Sequence, residues 1–225
     1  QFINPTGIVV NSTVIVVADR DNDRIQIFDL SGNFITKFGT FGTGNGQFIN
    51  PSDVAFDSSG RIVVTDRDND RVQIFNPSGN FITKFGTSGT GNGQFIRPDG
   101  VAIDSADHII VTDSSNNRIQ TFDSSGTHLK TVGGTTPSIA NGSFNDPRGV
   151  AVDSQDRIIV TEFGNDRVQI FTSSFANMGV LFGQKVNFTY FEKNDGNTVL
   201  TNANVTDTEC SPVTEKKSGG FNVGD

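Results

Sequence analysis

The stretch DRDNDRIQIF at residues 19–28 returns as DRDNDRVQIF at residues 66–75, and its reading decides the fold. Weaker copies stand at 113–122 (DSSNNRIQTF) and 162–171 (EFGNDRVQIF). Aligned on the arginine before the apolar run, they fall at Arg24, Arg71, Arg118 and Arg167, which are 47, 47 and 49 residues apart. Self-similarity at such a period marks a repeat architecture, in which each unit buries its apolar faces only against its neighbours.

Each copy has the same internal grammar, clearest in the second, FINPSDVAFDSSGRIVVTDRDNDRVQIFNPSGNFITKFGTSGTGNG. Four short apolar runs, VAF, IVV, VQIF and FITKF, are rich in β-branched and aromatic residues, which favour the pleated surface of a strand. Between them lie SSG, DRDND and NPSGN, residues that tolerate left-handed backbone or bond it locally. Four strands and three tight turns make an antiparallel meander. A glycine-rich connector, GTFGTGNGQF or GTSGTGNGQF, separates one meander from the next, and each new unit opens on Pro5, Pro51, Pro98 or Pro147.

These residues resemble the NHL repeat, in the order P-x-G-V-A-x-D, a T/A-D pair, N-x-R-I/V-Q-x-F and G-x-F-x-x-x-F-G. The resemblance implies an all-β fold: an NHL-type β-propeller over residues 1–183 with four recognisable four-stranded blades, at about 1–46, 47–93, 94–142 and 143–183. The copies depart from the pattern at Asp53, in a glycine slot, at Asn11, in an aspartate slot, and at Glu162, again for aspartate. The last strand of the fourth copy, ending VLFG at 180–183, is degraded.

DRDND then reads as the turn between the second and third strands of a blade, where the first aspartate caps backbone and the arginine reaches back to pair with it. A calcium reading is weaker: Asp19, Asp21 and Asp23 make a D-x-D-x-D series, as do Asp66, Asp68 and Asp70, but the glycine and glutamate of a calcium loop do not follow. The third copy, DSSNNR, drops two of the carboxylates and stays a good repeat. GTGNG leads into a strand rather than a helix, so it reads as a link between blades and not as a phosphate cradle.

Composition narrows function. A net charge of −8 and a pI near 4.7 disfavour nucleic acid, whose phosphates require a basic stripe. A mean hydropathy of −0.27 and the lack of an apolar run near 18 residues give no membrane span. With 20 Phe, one Tyr and no Trp, the aromatic rings are expected between blades rather than at a wet recognition surface. The two histidines, His108 and His128, both lie in the third copy, in slots held elsewhere by Arg61 or Arg157 and by Phe34 or Phe81, and read as repeat variation. We therefore expect no enzyme, no cofactor and no metal site. The candidate interaction residues are those of the loops on one face: Arg20 with Asp21, Arg67 with Asp68, and Arg97 with Asp99.

Residues 184–225 change character and resemble the opening of an Ig-like β-sandwich repeat of surface proteins, through Asn194, Gly196, Asn197, Leu200, Asn202, Val205, Thr206 and Asp207. That resemblance implies a disulfide partner for Cys210 beyond this sequence. The phase of Gln1, which matches Gln47 and Gln94, and the partial Ig-like segment lead us to expect a mature or excerpted piece of a longer protein. Sequons at Asn11, Asn141, Asn187 and Asn204 permit glycosylation. Together these features point to an extracellular or cell-surface structural or adhesive module whose partners are proteins, by self-association or through a surface-protein neighbour; a ligand- or peptide-sensing propeller is the alternative, and a metal-dependent propeller enzyme ranks below both. Four blades at about 60° each close only about 240°, which leaves two sheet edges to recruit further strands. Missing sequence, the tail, a neighbouring chain or a compact four-bladed ring would each resolve this, and strand exchange between copies would build a filament or layer.

Overall fold

The computed structural model describes residues 1–182 as four antiparallel sheets in chain order, each a meander of four strands. Blade 1 comprises β1 (Pro5–Val10), β2 (Val14–Asp19), β3 (Arg24–Asp29) and β4 (Phe34–Phe38). Blade 2 comprises β5 (Pro51–Phe56), β6 (Ile62–Asp66), β7 (Arg71–Phe75) and β8 (Phe81–Phe85). Blade 3 is β9 (Pro98–Ile103), β10 (Ile109–Asp113), β11 (Arg118–Phe122) and β12 (His128–Gly133), and blade 4 is β13 (Pro147–Val152), β14 (Ile158–Glu162), β15 (Arg167–Phe171) and β16 (Asn177–Phe182). The degraded fourth copy thus still forms its last strand. The Ig-like resemblance, with Asn187, Asn204 and Cys210, lies outside the described residues.

Alternation along each strand gives a blade two apolar faces. On blade 2, Val54, Ile62, Val64 and Phe75 pack with Val16, Ala18, Ile25 and Ile27 of blade 1, while Ala55, Val63, Val72 and Ile74 pack with Val101, Ile109, Val111 and Phe122 of blade 3. Each connector drops a fully buried phenylalanine, Phe48, Phe95 or Phe144, into the seam between blades. Phe48 lies 6.3 Å from Phe38 and 5.5 Å from Phe75, and Phe95 repeats the arrangement at 6.4 Å from Phe85 and 5.5 Å from Phe122. Such tilted ring clusters add to area burial. Gly39 and Gly86, both at φ +96°, turn the chain beside these rings, where a Cβ would stand 2.5 or 2.6 Å from a ring carbon.

The turn between second and third strands is a short 3₁₀ segment, Arg20–Asn22, Arg67–Asn69 or Ser114–Asn116, closed by a left-handed Asp23, Asp70 or Asn117. These turns lie at the same end of the blades as the connectors and form what we term the upper face. The expected pairing across the turn is present: Arg24 Nε to Asp19 Oδ2 is 2.6 Å, and the Arg71–Asp66 and Arg118–Asp113 pairs are 2.7 Å.

The innermost strands follow one another, β1 beside β5, β5 beside β9 and β9 beside β13, with no comparable contact joining β13 back to β1 among the described residues. The expectation of two unpaired edges is corrected here. Blades stack face to face, so an open arc leaves two sheet faces, not two strand edges, without a neighbour. Ile8 and Val10 on the first blade are 65% and 61% exposed.

Candidate functional site

The proline that opens each blade fixes the start of an innermost strand at the upper face, and the next residue differs in every copy: Thr6, Ser52, Asp99 and Arg148. The first residue of the turn after the second strand is arginine in the first two copies, Arg20 and Arg67, and changes to Ser114 and Phe163 in the others. The two positions are brought together around the inner rim. Arg67 of blade 2 stands between Asp68, 3.4 Å from its Nη1, and Asp99 of blade 3, 3.9 Å from its Nε. Arg97 Nε lies 3.8 Å from Asp68, and Asn50 Nδ2 donates to Asp68 Oδ2 at 2.6 Å. Arg20 pairs loosely with Asp21 at 3.9 Å. Arg148 donates to Asp146 Oδ2 at 2.8 Å and stacks its guanidinium 3.9 Å over the Phe163 ring.

Two features make this rim unusual. The Nε groups of Arg20 and Arg67 are buried and have no hydrogen-bond acceptor among the described residues, and 3.9 Å is too long for one. An unmade bond on a buried cation is costly, so these N–H groups are open donors for an incoming oxygen. The charges are also strained. Burial pushes the Asp99 carboxyl up, against the pull of Arg67, Arg148 and Arg20, and burial pushes the Arg67 guanidinium down, with Arg97 and Arg20 adding repulsion and Asp99 and Asp68 opposing it.

Below the rim, the innermost strands line an open groove of about 490 Å³, with Ile8, Phe56, Ile103 and Val152 among its residues. Asp53 is its charged lining residue among those described. In the other blades the slot is glycine because its surroundings are too close: a Cβ on Gly100 would collide with the Arg148 carbonyl oxygen of the neighbouring strand. Asp53 turns this proximity into bonds, accepting from Val101 N at 3.0 Å across the seam to blade 3 and from Val54 N at 2.9 Å. Burial pushes its carboxyl up to about 6, opposed by those two N–H groups and aided by the charge of Asp99.

All six residues singled out from the sequence therefore stand on one face, and Arg67, Asp68, Arg97 and Asp99 form one connected group, with Arg20 and Asp21 a separate pair on the adjoining blade. Sequence reasoning missed Arg148, Asp146 and Asp53. The signal was available, since Arg148 occupies the slot of Asp99 in a register the repeats define. The D-x-D-x-D carboxylates do not converge: no group of three or more His, Cys, Asp or Glu able to hold a metal occurs among the described residues. Instead Asp19 and Asp66 turn inward to their arginines, and Asp23 and Asp70 accept backbone N–H from the next connector. His108 Nδ1 is 2.8 Å from Asp104 Oδ2, and His128 Nε2 is 2.8 Å from Thr131 Oγ1. Of the sequons, Asn11 and Asn141 lie at exposed loop positions, and Asn11 commits only its Oδ1, to Thr13 and Val14. No helix among the described residues is long and apolar enough to cross a membrane.

Comparison with known proteins bears on this geometry. A model described as "6-bladed beta-propeller" matches residues 56–133, and the NHL repeat model matches residues 144–171. Protein brain tumor of Drosophila melanogaster is 46% identical over 56 residues, 24% of this chain and 5% of that protein. Among solved structures the chain is similar to streptogramin B lyase (TM-score 0.59, 18% identity, 77% of this chain and 53% of that one). It is also similar to a catalytically inactive virginiamycin B lyase from Staphylococcus aureus with quinupristin (0.62, 16%, 81% and 56%) and to a nidogen/laminin complex (0.62, 15%, 81% and 65%). The chain thus spans 53% to 65% of the length of these structures and 5% of the curated relative. Four four-stranded blades in chain order and this structural likeness lead to one conclusion: the chain is an all-β propeller of four described blades, the fourth of which matches the NHL repeat.

Proposed function

We propose that the chain is a non-catalytic structural or adhesive module of an extracellular surface protein, and that it holds a protein partner through its upper face. One observation carries the reading: buried Nε donors of Arg20 and Arg67, without an acceptor among the described residues, sit beside Asp99 on a rim whose backbone is fixed by repeat packing. The strongest differences between copies, Thr6, Ser52, Asp99 and Arg148, gather beside these arginines, while the Asp–Arg pairs and seam phenylalanines are spent on blade structure. A partner segment that presents carboxylate or carbonyl oxygens would make the missing bonds at little ordering cost. Resemblance to a nidogen/laminin complex supports a protein partner for this architecture, and the exposed Asn11 and Asn141 sequons support an extracellular setting.

The lyases among the similar structures keep catalysis as the reading to be excluded. The engaged states of His108 and His128, and the use of Asp53 as a backbone acceptor, favour binding over turnover. Calorimetric titration of the full chain with a tetraglutamate peptide at low ionic strength tests the face. Lys37→Gln, at an exposed position of the outermost strand of blade 1, serves as the control for a general loss of positive charge. Saturable binding that Arg67→Gln weakens at least tenfold and Lys37→Gln leaves unchanged supports the reading; heats that do not saturate, or that Arg67→Gln leaves unchanged, sink it.

A further inference from the structure

The acid–arginine pairs that close the turns of this repeat are all short: Nε of Arg24, Arg71, Arg118 and Arg167 stands 2.6, 2.7, 2.7 and 2.5 Å from its carboxylate. Arg67 Nε and Asp99 Oδ1, which face each other on the rims of blades 2 and 3, stop at 3.9 Å. Neither group is satisfied elsewhere. The buried Nε has no acceptor, and the Asp99 carboxylate accepts no hydrogen bond among the described residues. Ser52 and Arg148, in the same slot of blades 2 and 4, are both bonded, to Thr65 and to Asp146. Blades 2 and 3 each have a neighbour on both sides, so this gap belongs to the interior of the arc and not to its ends.

The backbone on both sides of the gap is fixed. The Asp99 carbonyl accepts from Thr65 Oγ1 at 2.8 Å and from Ser52 Oγ at 2.7 Å, both on blade 2, and the turn that carries Arg67 is tied to the connector by Asp68 N donating to Ile49 O at 3.1 Å. The Asp99 side chain is 23% exposed, so the gap is reached from the rim. An unmade donor beside an unmade acceptor calls for a group that offers the reverse, an oxygen to Arg67 and a hydrogen to Asp99. A carboxylate would set a second anion against Asp99, whose carboxyl burial already pushes up. A hydroxyl bridging both groups at ordinary lengths would bend the two bonds to about 90° at its oxygen. A primary carboxamide presents its oxygen and nitrogen about 2.3 Å apart, and two bonds of about 2.9 Å from those atoms reach groups 3.9 Å apart with little splay. A trans peptide points its C=O and N–H in opposite directions, so the amide that fits is a side chain.

We propose that the Arg67–Asp99 gap reads a carboxamide: an Asn or Gln side chain of the protein partner accepts from Arg67 Nε–H and donates to the Asp99 carboxylate. The inference rests on the upper-face reading and narrows it. Arg67 serves any oxygen that a partner presents, whereas Asp99 sets specificity, because an acid in place of the amide leaves Asp99 without its hydrogen and adds a like charge beside it. A site built to bond a polar group discriminates most strongly against the analogue that lacks it.

Calorimetric titration of the full chain with tetraglutamine and with tetraglutamate tests the proposal, both peptides being N-acetylated and closed by a C-terminal N-methylamide so that no other primary carboxamide is present. The variant is Asp99→Ser, which installs the residue type that blade 2 carries in this slot at Ser52 and leaves the backbone carbonyl for Thr65 and Ser52; circular dichroism checks its fold. Tetraglutamine is expected to bind the wild-type chain saturably. Asp99→Ser should weaken tetraglutamine at least fivefold and leave tetraglutamate unchanged or tighter, since it removes an acceptor from one and a repulsion from the other. Equal weakening of both peptides would overturn the proposal, because Asp99 would then only shape the face. Tetraglutamine binding that the variant leaves unchanged, or saturable tetraglutamate binding with none of tetraglutamine, would overturn it while sparing the upper-face reading. Binding of neither peptide to the wild-type chain would sink both together.

Discussion

Arg71 Nε donates to Asp66 Oδ2 at 2.7 Å across the DRDND turn, with the carboxylate fully buried and the guanidinium nearly so. The pair is stable in the interior because each partner is bonded on every side. Asp66 also accepts from Ile49 N, Asn69 and Gln73, while the rest of the Arg71 fork ties down three carbonyls of the preceding connector. The stretch that repeats most closely is thus the bracket that fastens a blade to the loop leading into it.

Removing one member leaves a buried charge, so Arg71→Ala is expected to destabilise the protein by about 3–5 kcal/mol. Arg157→Ala should cost about 1 kcal/mol or less, because Arg157 pairs with Asp153 at a solvent-exposed turn rather than with a buried carboxylate and three connector carbonyls. Urea unfolding of the two variants measures the difference; equal losses would show that burial and the connector bonds contribute nothing.

The seam phenylalanines give a second contrast. Phe95→Ala should cost about 3–5 kcal/mol, since the ring is fully buried between Phe85 and Phe122. Phe2→Ala, at a ring 38% exposed, should cost about 1 kcal/mol or less in a monomeric sample. Thermal unfolding at low concentration reads both.

Gly86→Ala tests the close approach at the connector. It combines a left-handed backbone with a Cβ 2.6 Å from the buried Phe95 ring and is expected to cost about 3 kcal/mol or more. Gly142→Ala, at φ +78° with open space around the new methyl, should lose only the backbone part, about 1–2 kcal/mol. Denaturant melts of both variants check the contrast.

Asp53 carries the pH prediction. The folded protein holds its proton to about 6, the unfolded chain only to the ordinary 3.8. Below the lower value both states are protonated and the group contributes no difference. As pH rises from there through the folded value, the unfolded chain ionises first and stability falls, by about 3 kcal/mol once both are ionised. Carbon-detected NMR titration should place the Asp53 carboxyl near 6, and Asp53→Asn should flatten this limb of the stability curve. A midpoint at the ordinary carboxylate value would contradict it.

Much of the fold was legible because the repeat states it four times. Strand number, turn positions, the Asp–Arg pairing and the interblade burial of phenylalanine all follow from alternation and register. The candidate face was legible in part: Arg20, Arg67, Arg97 and Asp99 sit one or two residues from turn signals that fix which end of the blade they occupy. Arg148 and Asp53 escaped because their roles depend on the adjacent blade, and distances between sheets are not written in a strand pattern. The open ends were misread as edges for a related reason. Counting strands predicts hydrogen-bonded borders, whereas in this architecture the surface left over is a face.

The most direct test of the central claim is amide hydrogen exchange on the full chain with and without saturating tetraglutamate. Slowed exchange confined to the upper-face turns around residues 20–22, 67–69, 97–99 and 146–148 is the predicted result. Protection centred instead on the opposite turns, such as 57–61 and 104–108, or no protection at any site, would contradict it.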